Sequence, residues 1–145
     1  MKKIILSLLL LAPCGFLIAQ DRQHPSDRVQ HAFQRDYPEA KEPHWSQNNG
    51  QWHARFDDRS AYDRGEMIAH YDRNGRHIES HTFYNHEDVP SPVIERARTR
   101  YHGDNYRFTR IERPGTKSFF KIQFTLGGKE RTSYLDERGR ERQYR

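Results

Sequence analysis

The chain has one cysteine, Cys14, among 145 residues, and it falls inside an apolar N-terminal segment. Beyond residue 19 there is no thiol, which excludes a disulfide framework, a thiol nucleophile and a thiolate metal site. Long hydrophobic runs are equally scarce: a membrane-spanning helix needs about 20 unbroken apolar residues. Here the only apolar run is interrupted by Pro13, Cys14 and Gly15 and stops at Ala19. Charge of one sign is also missing. The 25 basic and 20 acidic side chains give a formal net charge of +5, and they alternate through segments such as Asp57-Asp58-Arg59 and Glu137-Arg138-Gly139-Arg140-Glu141-Arg142, the pattern of a solvated face. No Gly-x-Ser-x-Gly elbow surrounds any serine, and Gly127-Gly128 reads as a turn, not a phosphate cradle.

The N-terminal segment therefore reads as an export signal. Met1-Lys2-Lys3 is a positive start, Ile4 to Leu11 an apolar stretch, and Leu17-Ile18-Ala19 a cleavage site before Gln20. Leu11-Ala12-Pro13-Cys14 is laid out like a lipoprotein box that would anchor Cys14, but proline before the cysteine and apolar residues after it argue against that use. Cleavage after Ala19 is the expectation, with a periplasmic or secreted destination and no membrane span. Removing 19 of the 145 residues leaves 126, the size of one domain with a core of its own.

What the chain does contain is an internal echo. Val29, Tyr37, Phe56, Asp72, Gly75 and Arg76 recur 64 residues later as Val93, Tyr101, Phe120, Asp136, Gly139 and Arg140. Recurrence in order and at a fixed offset points to a duplicated unit. Each copy begins with a helix signal. Ser26 precedes Val29, Ala32, Phe33 and Tyr37 on one face, with Pro38 as the stop. Ser91 and Pro92 precede Val93, Ile94, Ala97 and Tyr101, with Gly103 ending the run. Strand alternation follows in Trp52 to Phe56 and Met67 to Tyr71, and again in Tyr106 to Ile111, Ser118 to Thr125 and Arg131 to Asp136. Pro114-Gly115, Gly127-Gly128 and Arg138-Gly139 are the expected turns. The expected fold is α+β: two tandem helix-plus-antiparallel-sheet repeats, about 26–87 and 91–145, of roughly four strands each.

Asn74-Gly75 is the clearest hairpin signal, since a two-residue type I′ turn needs positive φ at both positions. Such a turn pairs Tyr71 with Ile78 and Ala69 with Ser80 on the buried face, and brings Asp72 beside His77 and His70 beside Glu79 on the other.

These residues resemble a known family. A helix ending in Tyr37-Pro38-Glu39-Ala40, a following Trp45, the alternating Trp52-His53-Ala54-Arg55-Phe56, the Ala69-His70-Tyr71-Asp72-Arg73-Asn74-Gly75 hairpin and Asp88-Val89-Pro90 before the second helix are similar to the PepSY-like, beta-lactamase-inhibitor-like family of exported bacterial proteins. The likeness runs from about Asp27 to Arg142. It implies a single PepSY-like domain over 20–145 with a beta-lactamase-inhibitor-protein-like architecture and a non-enzymatic role. The second copy departs from the pattern, with His102 after Tyr101 and no counterpart of Trp45.

Three groups of residues carry chemistry. Aromatic residues at neighbouring strand positions, Phe83-Tyr84 and Phe119-Phe120, send one ring to each face of a strand. Phe83, Tyr84, Phe119 and Tyr106 are accordingly the candidate anchors for a protein or peptide partner on an open sheet face, whereas Trp45 and Trp52 are expected in the core. Nine histidines are the second feature. His70, His77 and His81 with Asp72 and Glu79 would share one exposed face if the two-residue turn holds, giving an alternative reading as a periplasmic metal-binding protein. Thirdly, Asp57, Asp58, Asp63 and Glu66 form an acidic loop, but Arg59 and Arg64 between them oppose a cation. Arg96, Arg98, Arg100, Arg107 and Arg110 read as solvent-facing positions, with no nucleic-acid partner expected. The sequence-level reading is an exported, cofactor-free binding protein, an inhibitor of a protease or other envelope enzyme being its sharpest form.

Overall fold

The computed structural model describes residues 24–57 and 65–144. The expected leader and Cys14, together with Asp58, Arg59, Tyr62, Asp63 and Arg64, lie outside the described residues. Seven strands form one antiparallel sheet in strict chain order: β1 (His44–Asn48), β2 (Gln51–Asp57), β3 (Glu66–Tyr71), β4 (His77–Tyr84), β5 (Asp104–Glu112), β6 (Phe119–Leu126) and β7 (Lys129–Asp136). Helix α1 (Asp27–Asp36) precedes β1, and α2 (Ser91–Arg96), continued by a wider helical turn over Ala97–Tyr101, lies between β4 and β5.

This corrects the expected pair of helix-plus-sheet repeats. The two halves share a single sheet, because β4 and β5 pair from Ser80↔Glu112 to Tyr84↔Phe108, and the second half contributes three strands, not four. A sheet continued across the middle satisfies the backbone groups that two separate edges would expose. What recurs at the 64-residue spacing is a turn and its seat on the preceding helix, Gly75 against Arg28 and Ala32 and Gly139 against Pro92 and Arg96. Asp72 Oδ1 accepts the backbone N–H groups of Asn74 (2.8 Å) and Arg76 (2.9 Å), and Asp136 Oδ1 those of Arg138 (2.9 Å) and Arg140 (3.0 Å). The Arg76 and Arg140 side chains close back onto the second oxygen of Asp72 and of Asp136 respectively.

Both helices lie on the same face of the sheet. Val29, Ala32 and Phe33 of α1 pack over Trp52, Ala54, Phe56, Met67, Ala69 and Tyr71, with Trp45 against them. Val93 and Ala97 pack over Phe108, Phe120, Ile122, Phe124 and Leu135. The alternation that put Trp52, Ala54 and Phe56 inward places His53 and Arg55 on the other face, which no helix among the described residues covers.

The turns explain the register. Asn74-Gly75 does not form the two-residue turn. Gly75 N–H donates to Asp72 O and Asp72 N–H to Arg76 O, and of the pair only Gly75 has positive φ, +78°. This is a three-residue loop closing on a left-handed glycine. A bulge beside Tyr71 then pairs Tyr71 with His77 instead of Ile78, while Ala69↔Ser80 and His70↔Glu79 hold as expected. The two-residue type I′ geometry occurs instead at Asn49-Gly50, where both residues have positive φ between the paired Asn48 and Gln51.

Gly139 is the tightest of these turns against a helix. Its φ is +74°, and a Cβ there would sit 2.4 Å from Pro92 O in the first turn of α2. Gly139→Ala is expected to destabilise the fold by roughly 1–3 kcal/mol from the backbone conformation, with the clash adding to it. Comparing thermal melts of the two chains checks this; an unchanged melt contradicts the close approach.

Candidate functional site

The face without helices carries the candidate site, built from β2, β3 and β4 outward. Cross-strand pairing sets His53 opposite His70 and His70 opposite Glu79. His81 is the diagonal neighbour of His70. The three imidazoles stack in a ladder, His53 to His70 at 4.3 Å between ring centroids and His70 to His81 at 4.5 Å. His70 Nε2 is buried and has no hydrogen-bond partner. Burial first, and then the neighbouring His81 and His53, hold the His70 imidazole down at about 4, and His53 is lowered by burial and His81.

Glu79 ends the ladder and joins it to the second half of the sheet. Its Oε1 lies 2.7 Å from His81 Nε2, Arg113 Nε donates to its Oε2 at 2.8 Å, and the Tyr144 hydroxyl reaches the two oxygens at 3.0 and 3.2 Å. Glu79 is buried. Burial alone would raise its carboxyl, but the hydrogen bonds from His81, Arg113 and Tyr144 outweigh it and hold it at about 2. Tyr144 stacks on Tyr134 at 4.9 Å, and the Arg113 guanidinium sits over the Tyr144 ring at 4.5 Å. The segment after β7 thus crosses the helix-free face. Arg142 covers the Phe119 ring at 4.2 Å.

The candidate anchors separate. Phe83 is on the helix-free face and is 41% exposed. Phe119 is on that face too, but only 1% exposed beneath Arg142 and Tyr144. Tyr84 is on the helix side, edge-on to Phe120 at 6.0 Å. Tyr106 packs against the second core cluster, its hydroxyl donating to Ala97 O and accepting from Gly103 N–H. Only Phe83 of the four presents an open ring, because strand alternation divides each aromatic pair and the C-terminal segment covers Phe119.

The candidate metal set separates as well. The bulge turns His77 to the helix side, where its Nε2 lies 2.7 Å from Ser80 Oγ and its ring lies 5.2 Å from Tyr71. Asp72 is occupied by its own turn. Among the described residues no three His, Asp, Glu or Cys side chains are grouped to hold a metal ion. In the acidic loop Asp57 pairs with Glu66, and Glu66 is bridged by Arg55 at 2.8 Å. Of the arginine group, Arg96 donates to Gly139 O, Arg107 pairs with Glu130, and Arg110 with Glu112 and Glu137. Arg113 and Tyr144 were not legible as site residues: Arg113 follows the last residue of β5 and Tyr144 lies in the segment beyond β7, where periodicity is silent. His53 was legible as an outward strand position, but its stacking partner depends on the register of β2 against β3.

No protein-family model matches the chain, and no curated protein matches it. Solved structures do. A BLIP-like protein from Bacteroides fragilis superposes with a TM-score of 0.72 at 22% identity over 83% of this chain and 85% of that one. A DUF2874 family protein from Bacteroides ovatus gives 0.72 at 18% identity, over 82% and 85%. A protein from Bacteroides eggerthii proposed to be periplasmic gives 0.70 at 18%, over 82% and 86%. Among the described residues no helix is long and apolar enough to cross a membrane. The fold is therefore BLIP-like, one antiparallel sheet with two short helices on one face.

Proposed function

We propose that this is an exported, non-enzymatic binding protein that presents the helix-free face of β2 to β4 to a protein or peptide partner. One observation carries the reading: both helices cover one face of the sheet, while the other leaves the Phe83 ring 41% exposed beside the imidazole ladder. Aromatic anchors inside a polar rim are the usual composition of a protein-binding surface. Thr109 and Lys121 continue the row from Phe83 across β5 and β6. The BLIP-like fold and the neighbour proposed to be periplasmic support an exported binding role. Inhibition of a protease or other envelope enzyme is its sharper form.

Site-specific photo-crosslinking in envelope extract tests it. Crosslinkers at Phe83 and Lys121 are expected to trap the same partner, crosslinkers at Arg35 and Arg98 on the helices none. Phe83→Asp should weaken capture by about tenfold or more, as loss of a central anchor does. Equal adducts from the helix positions, or adducts formed only with a second copy of this chain, would overturn the assignment.

A further inference from the structure

All five histidines that lie on strands, His44, His53, His70, His77 and His81, belong to β1 to β4; β5, β6 and β7 contain none. Three of them form the ladder at 4.3 and 4.5 Å between rings, with a buried, unpartnered Nε2 on the central ring. Imidazoles this close cannot all be charged without strong mutual repulsion, and the central one has no carboxylate of its own to offset a proton. We propose that the His53–His70–His81 ladder is an acid-sensitive latch on the helix-free face: as the rings are driven to take up protons, β2, β3 and β4 loosen while β5 to β7 stay paired.

The surroundings of His70 set the sign. From β2 it faces His53, with Arg55 and the β1 residue His44 further along the same face. From β4 it faces Glu79 and His81, and beyond them lie Arg113 and Tyr144. Glu66 is on its own strand, and His77 is on the opposite side of the sheet. Glu79, the nearest acid, is already engaged by His81, Arg113 and Tyr144. His70, His53 and His77 are all held below the ordinary value of 6.5, His70 at about 4. A depressed histidine contributes stability that is complete above 6.5 and is lost as pH falls toward the folded value. The window is pH 6.5 to 4, most of it above 4.5, where the contribution of Glu79 is still complete.

Amide hydrogen exchange on the intact chain, corrected for intrinsic rates, reads the latch strand by strand. Between pH 7 and pH 5, opening in β2 to β4 is expected to increase about tenfold, with β5 to β7 unchanged. His70→Leu should remove most of that increment, leaving the smaller shares of His53 and His77, and His77→Gln should retain most of it. His53→Gln, which should reduce the increment, serves if His70→Leu fails to fold. A uniform response over all seven strands, its undiminished persistence in His70→Leu or, failing that variant, in His53→Gln, a larger loss in His77→Gln than in His70→Leu or, failing that variant, than in His53→Gln, or an NMR titration placing His70 at or above 6.5 would each overturn the proposal.

Discussion

Phe33→Ala is expected to lower the unfolding free energy by about 3–5 kcal/mol, the range for removing a fully buried phenylalanine. Phe33 is 2% exposed and meets four other rings: Phe56 at 5.0 Å, Trp45 at 5.3 Å, Tyr37 at 5.5 Å and Tyr71 at 6.4 Å between centroids. Three of these contacts are edge-to-face, so truncation forfeits ring pairing as well as buried area. Strand pairing holds the backbones of Trp45 and Phe56 and so limits how far they close into the space. Helix α1 has ten residues, too few to persist without a seat. Urea denaturation followed by circular dichroism measures the loss. Phe33→Leu, which keeps most of the volume, should cost clearly less; equal costs would mean that α1 is not seated through this ring.

Glu79→Ala is expected to cost roughly 2–4 kcal/mol, because it leaves Arg113 and His81 facing a partly buried site without their shared carboxylate. Both partners keep some access to water, 23% and 21%, which sets the figure below that for a fully buried pair. The carboxylate also has a pH signature. Its folded value is about 2 against an ordinary 4.5, so its contribution is complete above 4.5 and is lost as pH falls through about 2. Glu79→Gln should remove that acid limb while leaving the histidine response between pH 6.5 and 4 in place. Denaturation midpoints between pH 2 and 7 separate the two. An unaltered limb below 4.5 would show that the Arg113 and Tyr144 bonds do not hold the carboxylate ionised.

Much of this architecture could be read from residue spacing. The stripe of Val29, Ala32 and Phe33 and the alternation of Trp52, Ala54 and Phe56 placed α1 and β2, and both face the core. The glycines at 75 and 139 marked two turns that share a hydrogen-bond scheme. Seam and site were less legible. Nothing local in Ser80 to Tyr84 specifies Glu112 to Phe108 as its partner, so residue spacing predicts two sheets where the chain forms one. A one-residue bulge beside Tyr71 sends His77 to the far side, and period-two patterning cannot register an inserted residue. Phe119 looked available because its strand position faces away from the helices; Arg142 and Tyr144, distant in sequence, cover it.

Strand order equal to chain order has a kinetic consequence. Five of the six strand pairings join neighbours through short connections, and only the β4–β5 pairing must close around the intervening helix, bringing Tyr84 to Phe108. Loop-closure entropy is thus small at five steps and concentrated at one. A sheet with a single pairing across a long connection belongs with the faster folders among all-antiparallel sheets. The first four strands can complete their ladders before any residue beyond 103 is required, and the central closure becomes the step that a nascent chain must wait for.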